Sequence, residues 1–282
     1  MSSKMTAALP TQMIIFPIKP DATIENASSK DGQIWAQVLD ILETWSGFRR
    51  LYWGRHVEET EKTQIHIVRD TMHQHFSFLS SPQWTQLSQV IAPICSEGPD
   101  SFIVRHANIQ NFSPNPAALG KGASVTGTAI YLTSTPEDWE KAWALWTTIV
   151  SRVEGCMGVT GGWMVEPVEG YEACYTVWVG WESIEIHDKY HHDKDFWKKR
   201  IVLQLHNDGW REYGHVAFTH SRSRPEANLL TNDENISSGT KPRIPLSDPI
   251  RAPNVAVPSN APMYFGGTFA PATSLHPELA RI

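Results

Sequence analysis

Few cysteines, no basic run and no long apolar stretch occur in this sequence, and each shortage removes a class of protein. Cys95, Cys156 and Cys174 lie far apart in 282 residues, an odd set without C-x-x-C spacing. Such a set is neither a disulfide framework nor a zinc site, and a reducing, cytoplasmic compartment is the simplest expectation. A formal charge of -6 without any Lys/Arg run gives nucleic acids and anionic membranes nothing to grip. No uninterrupted apolar stretch reaches the length of a membrane span, and the polar opening from Met1 to Pro10 lacks the apolar core of a signal peptide. There is no P-loop, no Rossmann glycine fingerprint, no GxSxG elbow and no HExxH. His191 and His192 sit among Asp188, Lys189, Asp193 and Lys194, where adjacent side chains point apart, so no metal site is expected.

A hydrophobic fraction of 41% with 19% charged residues fits a globular protein with a core. Tryptophan is over-supplied, with 12 copies, all between Trp35 and Trp210. Indoles of this kind fill cores and element interfaces, or line a pocket for a flat, greasy ligand.

The chain repeats itself. The segment from Gly47 to Glu58 matches that from Gly155 to Glu166, with Gly47, Gly54, Val57 and Glu58 answered by Gly155, Gly162, Val165 and Glu166 at one offset. Further on, His75 corresponds to His187, Asp70 to Glu182 and Arg69 to Trp181, and the run from Phe102 to His106 is set against that from Val216 to His220.

Both copies read alike in secondary structure. A short β run (13–16 and 129–132) precedes a helix. The first helix carries Ile34, Trp35, Val38, Leu39, Ile41, Leu42 and Trp45 on one broad stripe. The second begins at Thr135-Pro136, with Glu137 and Asp138 in its first turn and Trp139, Trp143, Trp146, Ile149 and Val150 inward. Gly47 and Gly155 end these helices. Two strands follow (51–57 and 65–69; 159–165 and 175–181), then a second helix, starting near Ser81-Pro82 in one copy and holding Phe196, Ile201 and Leu205 in the other. A final strand closes each copy (102–109 and 215–220). The order βαββαβ is the ferredoxin-like split βαβ, whose open sheet face must be covered.

On these segments the chain resembles the dimeric α+β barrel superfamily, over roughly residues 11–221. That superfamily includes antibiotic-biosynthesis monooxygenases, polyketide cyclases, haem-using members and stress-responsive barrels. The resemblance is carried by the glycine–strand–glutamate segments ending at Glu58 and Glu166, and by Trp181-Glu182-Ser183 leading to His187. The tandem form is similar to fused proteins of fungal metabolite gene clusters. The fold class expected is therefore α+β, two tandem ferredoxin-like repeats (residues 11–112 and 124–221) forming a single-chain pseudo-dimeric α+β barrel. Residues 222–282 hold nine of the 19 prolines, and form an irregular tail that is either mobile or a strap anchored by Met263-Tyr264-Phe265, as a docking point or lid.

Strand alternation nominates interior residues. Ile65, Ile67 and Arg69, with Val177, Val179 and Trp181, suit packing under helices, which turns His66 and Trp178 toward the space between the sheets. His75 and His187 read either as a base or donor to a substrate oxygen, which the resemblance would place at the barrel mouth, or as scaffold histidines bonding nearby backbone; His106 and His220 share those alternatives. Tyr52, Arg55, His56, His66 and Arg69 concentrate titratable groups in the first copy. They mark a working pocket there or a charged strand edge. The candidate catalytic residues are His66, His75, Tyr52 and His56, and the candidate substrate-binding residues are Arg55, Trp53, Arg69, Trp178 and His187.

The resemblance implies a cofactor-independent enzyme that oxygenates, cyclises or isomerises a hydrophobic secondary metabolite inside the barrel. A non-catalytic binding or stress-response protein is the alternative, and a haem protein a further one. A fused pair needs no partner to close its barrel, so a monomer is expected.

Overall fold

The structure, a computed structural model, describes residues 9–111 and 123–224; the tail expected to dock through Met263-Tyr264-Phe265 lies outside them. The first repeat comprises β1 (Leu9–Pro17), α1 (Lys30–Thr44), β2 (Phe48–Arg55), β3 (Lys62–Arg69), α2 (Met72–Leu79), α3 (Pro82–Ile91) and β4 (Ile103–Asn111). The second comprises β5 (Val125–Leu132), α4 (Pro136–Val150), β6 (Cys156–Met164), β7 (Cys174–Trp181), α5 (Ile184–His191), α6 (Lys194–Gln204), β8 (Gly209–Val216) and β9 (His220–Ser223). All neighbours pair antiparallel, in the orders β4-β1-β3-β2 and β8-β5-β7-β6. Both are the ferredoxin-like order, and the fold is the tandem α+β barrel.

Alternation along the strands sorts side chains onto two faces. Ile14, Phe16, Leu51, Trp53, Ile65 and Ile67 pack under α1 and α3 with Trp35, Val38 and Leu42. Trp139, Trp143, Trp146 and Val150 of α4 meet Val159, Tyr175, Val177 and Trp181 in the same way. Ser29 caps α1, accepting a 2.9 Å hydrogen bond from the Gly32 N–H. At the other end of α1, the fully buried Arg69 donates to the carbonyls of Leu42 (2.8 Å) and Trp45 (3.0 Å), where a cation complements the helix dipole. Thr135 occupies the N-cap position of α4, but its side chain makes no cap bond.

Two expectations change. The single second helix is a pair of helices in each repeat. Thr71 and Gln74 form a capping box that starts α2 directly after β3, and Ser81 with Pro82 restarts the chain as α3. Among the described residues of α6, Phe196 and Leu203 are buried and Ile201 faces solvent, as does Leu205 just after the helix. A spacing of seven returns to one helix face, whereas five and nine do not.

The two sheets join reciprocally. β4 extends past β1 to pair with β6, from Ala107↔Met164 to Asn111↔Thr160. β9 pairs with β2, from Arg50↔Ser223 to Trp53↔His220. The end of β8 also reaches β2: Val216 bridges His56, the Val57 N–H donates to the His215 carbonyl (2.9 Å), and the Ala217 N–H donates to the Arg55 carbonyl (2.9 Å). The strands thus close into a ring, each repeat lending its last strand to the other. At the seams the backbones approach so closely that a Cβ on Gly54 would lie 1.8 Å from the Ala217 carbonyl oxygen, and one on Gly162 1.9 Å from that of Asn108. That proximity accounts for the repeated glycine.

Candidate functional site

Inside the ring, Met13, Ala107, Ile109, Ile130, Met164, Trp178 and Phe218 form a third apolar cluster, with Tyr52 packed against it. It leaves a cavity lined by Met13, Ile15, Ile103 and Ile130 on the apolar side and by His56, Gln64, Arg105, Thr128, Thr176 and Glu212 on the polar side. The free volume is ≈ 20 Å³, enough for about one water. Anything larger enters only as the lining side chains move.

Two interior histidines meet at Gln64. The Gln64 amide nitrogen lies 2.8 Å from His66 Nε2. The amide donates, so His66 carries its own proton on Nδ1, a buried atom that finds no partner. His66 is fully buried, with Trp178 edge-on at 4.7 Å and Phe218 at 4.7 Å, and burial pushes its pKa down to about 3. Gln64 also hydrogen-bonds His56. His56 is lowered by burial, against the opposing pull of Glu59, and its buried Nε2 has no partner. Both imidazoles are therefore neutral near pH 7, and His56 presents an unpartnered nitrogen in a residue that lines the cavity.

An ion pair crosses the cavity between repeats, from the Arg105 guanidinium to the Glu212 carboxylate. Arg105 comes from regular pairing opposite Met13, whereas Glu212 comes from an irregularity in β8 between Arg211 and Gly214, which pair with Ile130 and Thr128 of β5. Glu212 has φ +50°, a left-handed conformation uncommon outside glycine. The bulge re-aims its side chain.

Outside the ring, the seams carry a second type of site. Glu166 accepts hydrogen bonds from the backbone N–H of His106 (2.9 Å) and from its ring Nδ1. Glu58 does the same for His215 (2.9 Å from the N–H). Behind each clamp the repeats differ. Gln12 lies 3.0 Å from His106 Nε2, while His187 Nδ1 lies 2.7 Å from His215 Nε2. The second contact is tight against β5: an added Cβ on Gly127 would sit 3.1 Å from the His187 ring. These clamps also revise the alignment, since His106 corresponds to His215 and not to His220. The last strand of the second repeat is broken into β8 and β9, which displaces the match by five positions.

Of the residues nominated from sequence, the structure brings His56, His66, Tyr52 and Trp178 to the barrel interior. It sends the others to the helix side or the seams. Trp53 stacks on His220 at 4.1 Å, under α1. Arg55 bonds Glu25 and the carbonyls of Thr60 (2.8 Å) and Ala22 (2.5 Å). Arg69 caps α1. His75 is buried with Nε2 3.1 Å from the Pro10 carbonyl, and burial lowers it to about 3. His187 stacks on Trp181 at 4.7 Å. His191 stacks on Phe196 at 4.5 Å, and among the described residues no group of three His, Cys, Asp or Glu side chains is placed to hold a metal ion. Thr176 shares the inward face of Trp178, while Gln64, Arg105, Thr128 and Glu212 are lining residues that the sequence reading does not single out. Strand alternation, which turned His66 inward, does the same for Gln64 two residues earlier, and Arg105 faces Met13. The bulge hides Glu212 from that rule.

No family model matches the sequence, and no curated protein matches it. Solved structures do. An anthrone oxidase-like protein superposes with a TM-score of 0.54 at 11% identity, over 78% of this chain and 96% of its own. A provisionally assigned monooxygenase of Fusobacterium nucleatum gives 0.52 at 10%, over 78% and 96%. Another from Lactobacillus acidophilus gives 0.50 at 8%, over 77% and 97%. At such identities the likeness is one of fold. No helix among the described residues is long and apolar enough to cross a membrane.

Proposed function

We propose that the chain is a monooxygenase-type enzyme that works inside its barrel without a resident cofactor, on a hydrophobic small molecule of secondary metabolism. The observation that carries this reading is His56: a neutral imidazole with an unpartnered Nε2, on a cavity wall that is otherwise apolar or uncharged apart from one internal ion pair. Such a nitrogen can accept a proton from an acidic C–H of a bound substrate. The resulting carbanion is the reductant for dioxygen. One oxygen atom ends as a carbonyl on the substrate carbon and the other leaves as water, so a methylene plus O2 gives a ketone plus H2O. Gln64 holds His56 and His66 in register, and Tyr52 and Trp178 supply interior surface. The fold neighbours described as monooxygenases support the reaction class. If the proton returns to another carbon instead, the same site performs an isomerisation or cyclisation. With both seams paired inside one chain, the active form is proposed to be a monomer in the cytoplasm.

The test is to incubate the purified protein with metabolite extract of its source, with and without air, and follow masses by chromatography. A product formed only in air and gaining oxygen supports the oxygenase. A product of unchanged mass, or lighter by water, in both atmospheres moves the assignment to isomerase or cyclase. A compound that co-purifies unchanged makes the barrel a binding protein.

A further inference from the structure

We infer that Arg105 is an anion-recognition group of the barrel, and that Glu212 is an internal carboxylate which a substrate's own carboxylate displaces. The inference rests on the reading of the interior as a ligand site, and it adds a substrate class: an apolar body bearing a carboxylate.

Three observations support it. First, the Arg105 fork is half used. Its Nη2 pairs with Glu212 Oε1, while its Nε is buried without a partner. A guanidinium binds a carboxylate best through two parallel N–H···O bonds, and this edge offers a second donor that Glu212 leaves unused. Second, Glu212 is suited to leave. It sits in a bulge of β8 at φ +50°, it is an exposed residue, and β4 has no equivalent irregularity where it pairs with β1. A side chain held by a strained backbone and facing water can swing out without disturbing a helix or a ladder. Third, among the described residues Arg105 and Glu212 are the only formally charged ones lining the cavity, so removing Glu212 from the pair leaves a single positive charge beside Thr128, Thr176 and Gln64. Arg105 is half-buried, so part of its hydration is lost and an anion in that position restores a partner to it.

The experiment titrates the full-length protein with benzoate and, separately, with its neutral isostere benzyl alcohol, by calorimetry. It compares the wild type with Glu212→Gln, Arg105→Gln and Arg105→Lys. Glu212→Gln removes the competing charge at constant shape, and benzoate is expected to bind about tenfold tighter. Arg105→Gln is expected to weaken benzoate by about tenfold or more. Arg105→Lys, which keeps the charge and loses the fork, falls between. Benzyl alcohol should ignore all three substitutions. Circular dichroism and the unchanged alcohol affinity show that the variants are folded. If the alcohol binds every protein equally and benzoate does not respond to Glu212 or Arg105, the anion inference is wrong while the ligand-site reading stands. If neither probe binds any of the four proteins, both fall.

Discussion

Glu58 grips His215 across the seam between the repeats, accepting hydrogen bonds from its backbone N–H and its ring Nδ1. Glu166 grips His106 in the same manner at the other seam. Charge-assisted hydrogen bonds contribute about 1.5–3 kcal/mol. Both carboxylates are partly exposed, at 43% and 37%, which discounts that figure. Each of Glu58→Ala and Glu166→Ala is therefore expected to cost about 1–2 kcal/mol in urea unfolding, and the double variant the sum, because the clamps share no partner. Unchanged midpoints would mean that the backbone pairs alone hold the seams.

A methyl group at either seam glycine should do more damage. Gly54→Ala and Gly162→Ala each drive a Cβ into a carbonyl of the opposite repeat, at 1.8 and 1.9 Å. Backbone cannot retreat as a flexible side chain can, so a loss of about 1–3 kcal/mol is expected. Gly170→Ala, where an added Cβ meets nothing within 4 Å, tests a different cost, the strain of φ +86° alone. Thermal melts of the three variants separate crowding from backbone strain.

Acid should destabilise the fold from just below neutrality. Burial lowers His66 and His75 to about 3 and His187 to about 2. Between those values and the ordinary 6.5 the unfolded chain binds protons that the native chain refuses, so stability is present above pH 6.5 and is lost as pH falls. Each such histidine contributes about 1.4 kcal/mol per pH unit within that window. Glu58 and Glu166 act with the same sign lower down: burial raises them, but the bonds from His215 and His106 outweigh it and hold both below 4.5. Denaturation midpoints at pH 7.5, 6 and 5 should decline steadily, and His75→Gln should flatten the slope by one proton. A flat profile would show that these imidazoles take up protons in the native state as readily as in the unfolded chain.

Replacing the two groups of histidines should separate chemistry from scaffold. His56→Ala is expected to reduce turnover by about 10²–10⁴ while leaving the melting temperature nearly unchanged, the usual effect of losing a general base. His75→Ala should lower the melting temperature and spare turnover per folded molecule, since His75 bonds the Pro10 carbonyl outside the ring. If the outcomes are reversed, the active centre lies at the seam.

Much of this architecture was readable because it obeys periodic rules. Alternation on β3 and β7 turned His66 and Trp178 inward, and the repeated Gly54 and Gly162 marked positions that prove to be seams. Where periodicity breaks, the reading broke. The irregularity in β8 alters the face on which Glu212 falls, and the gap between β8 and β9 set His220 in the place of His215. Charge misled for another reason. Arg55 and Arg69 have the composition of a polar pocket, but a cation's role depends on which carbonyls surround it, and those of Ala22, Leu42, Trp45 and Thr60 come from distant or turning segments with no pattern of their own. Thr71 and Gln74 were three residues apart in plain view, yet a capping box signals a helix only once the preceding strand is known to end there.

The reciprocal lending of last strands makes the two repeats interlocked, and neither is self-sufficient. A half-chain holding only β1 to β4 would expose the seam edges of β2 and β4 and would have to find another half to satisfy them. Severing the connection between β4 and β5 should accordingly leave two fragments that stay associated and melt in a single transition. Covalent fusion adds little to the contacts of such a pair. What it allows is independent change in each half, so that one side can evolve a bulge bearing Glu212 while the other keeps the plain strand that carries Arg105.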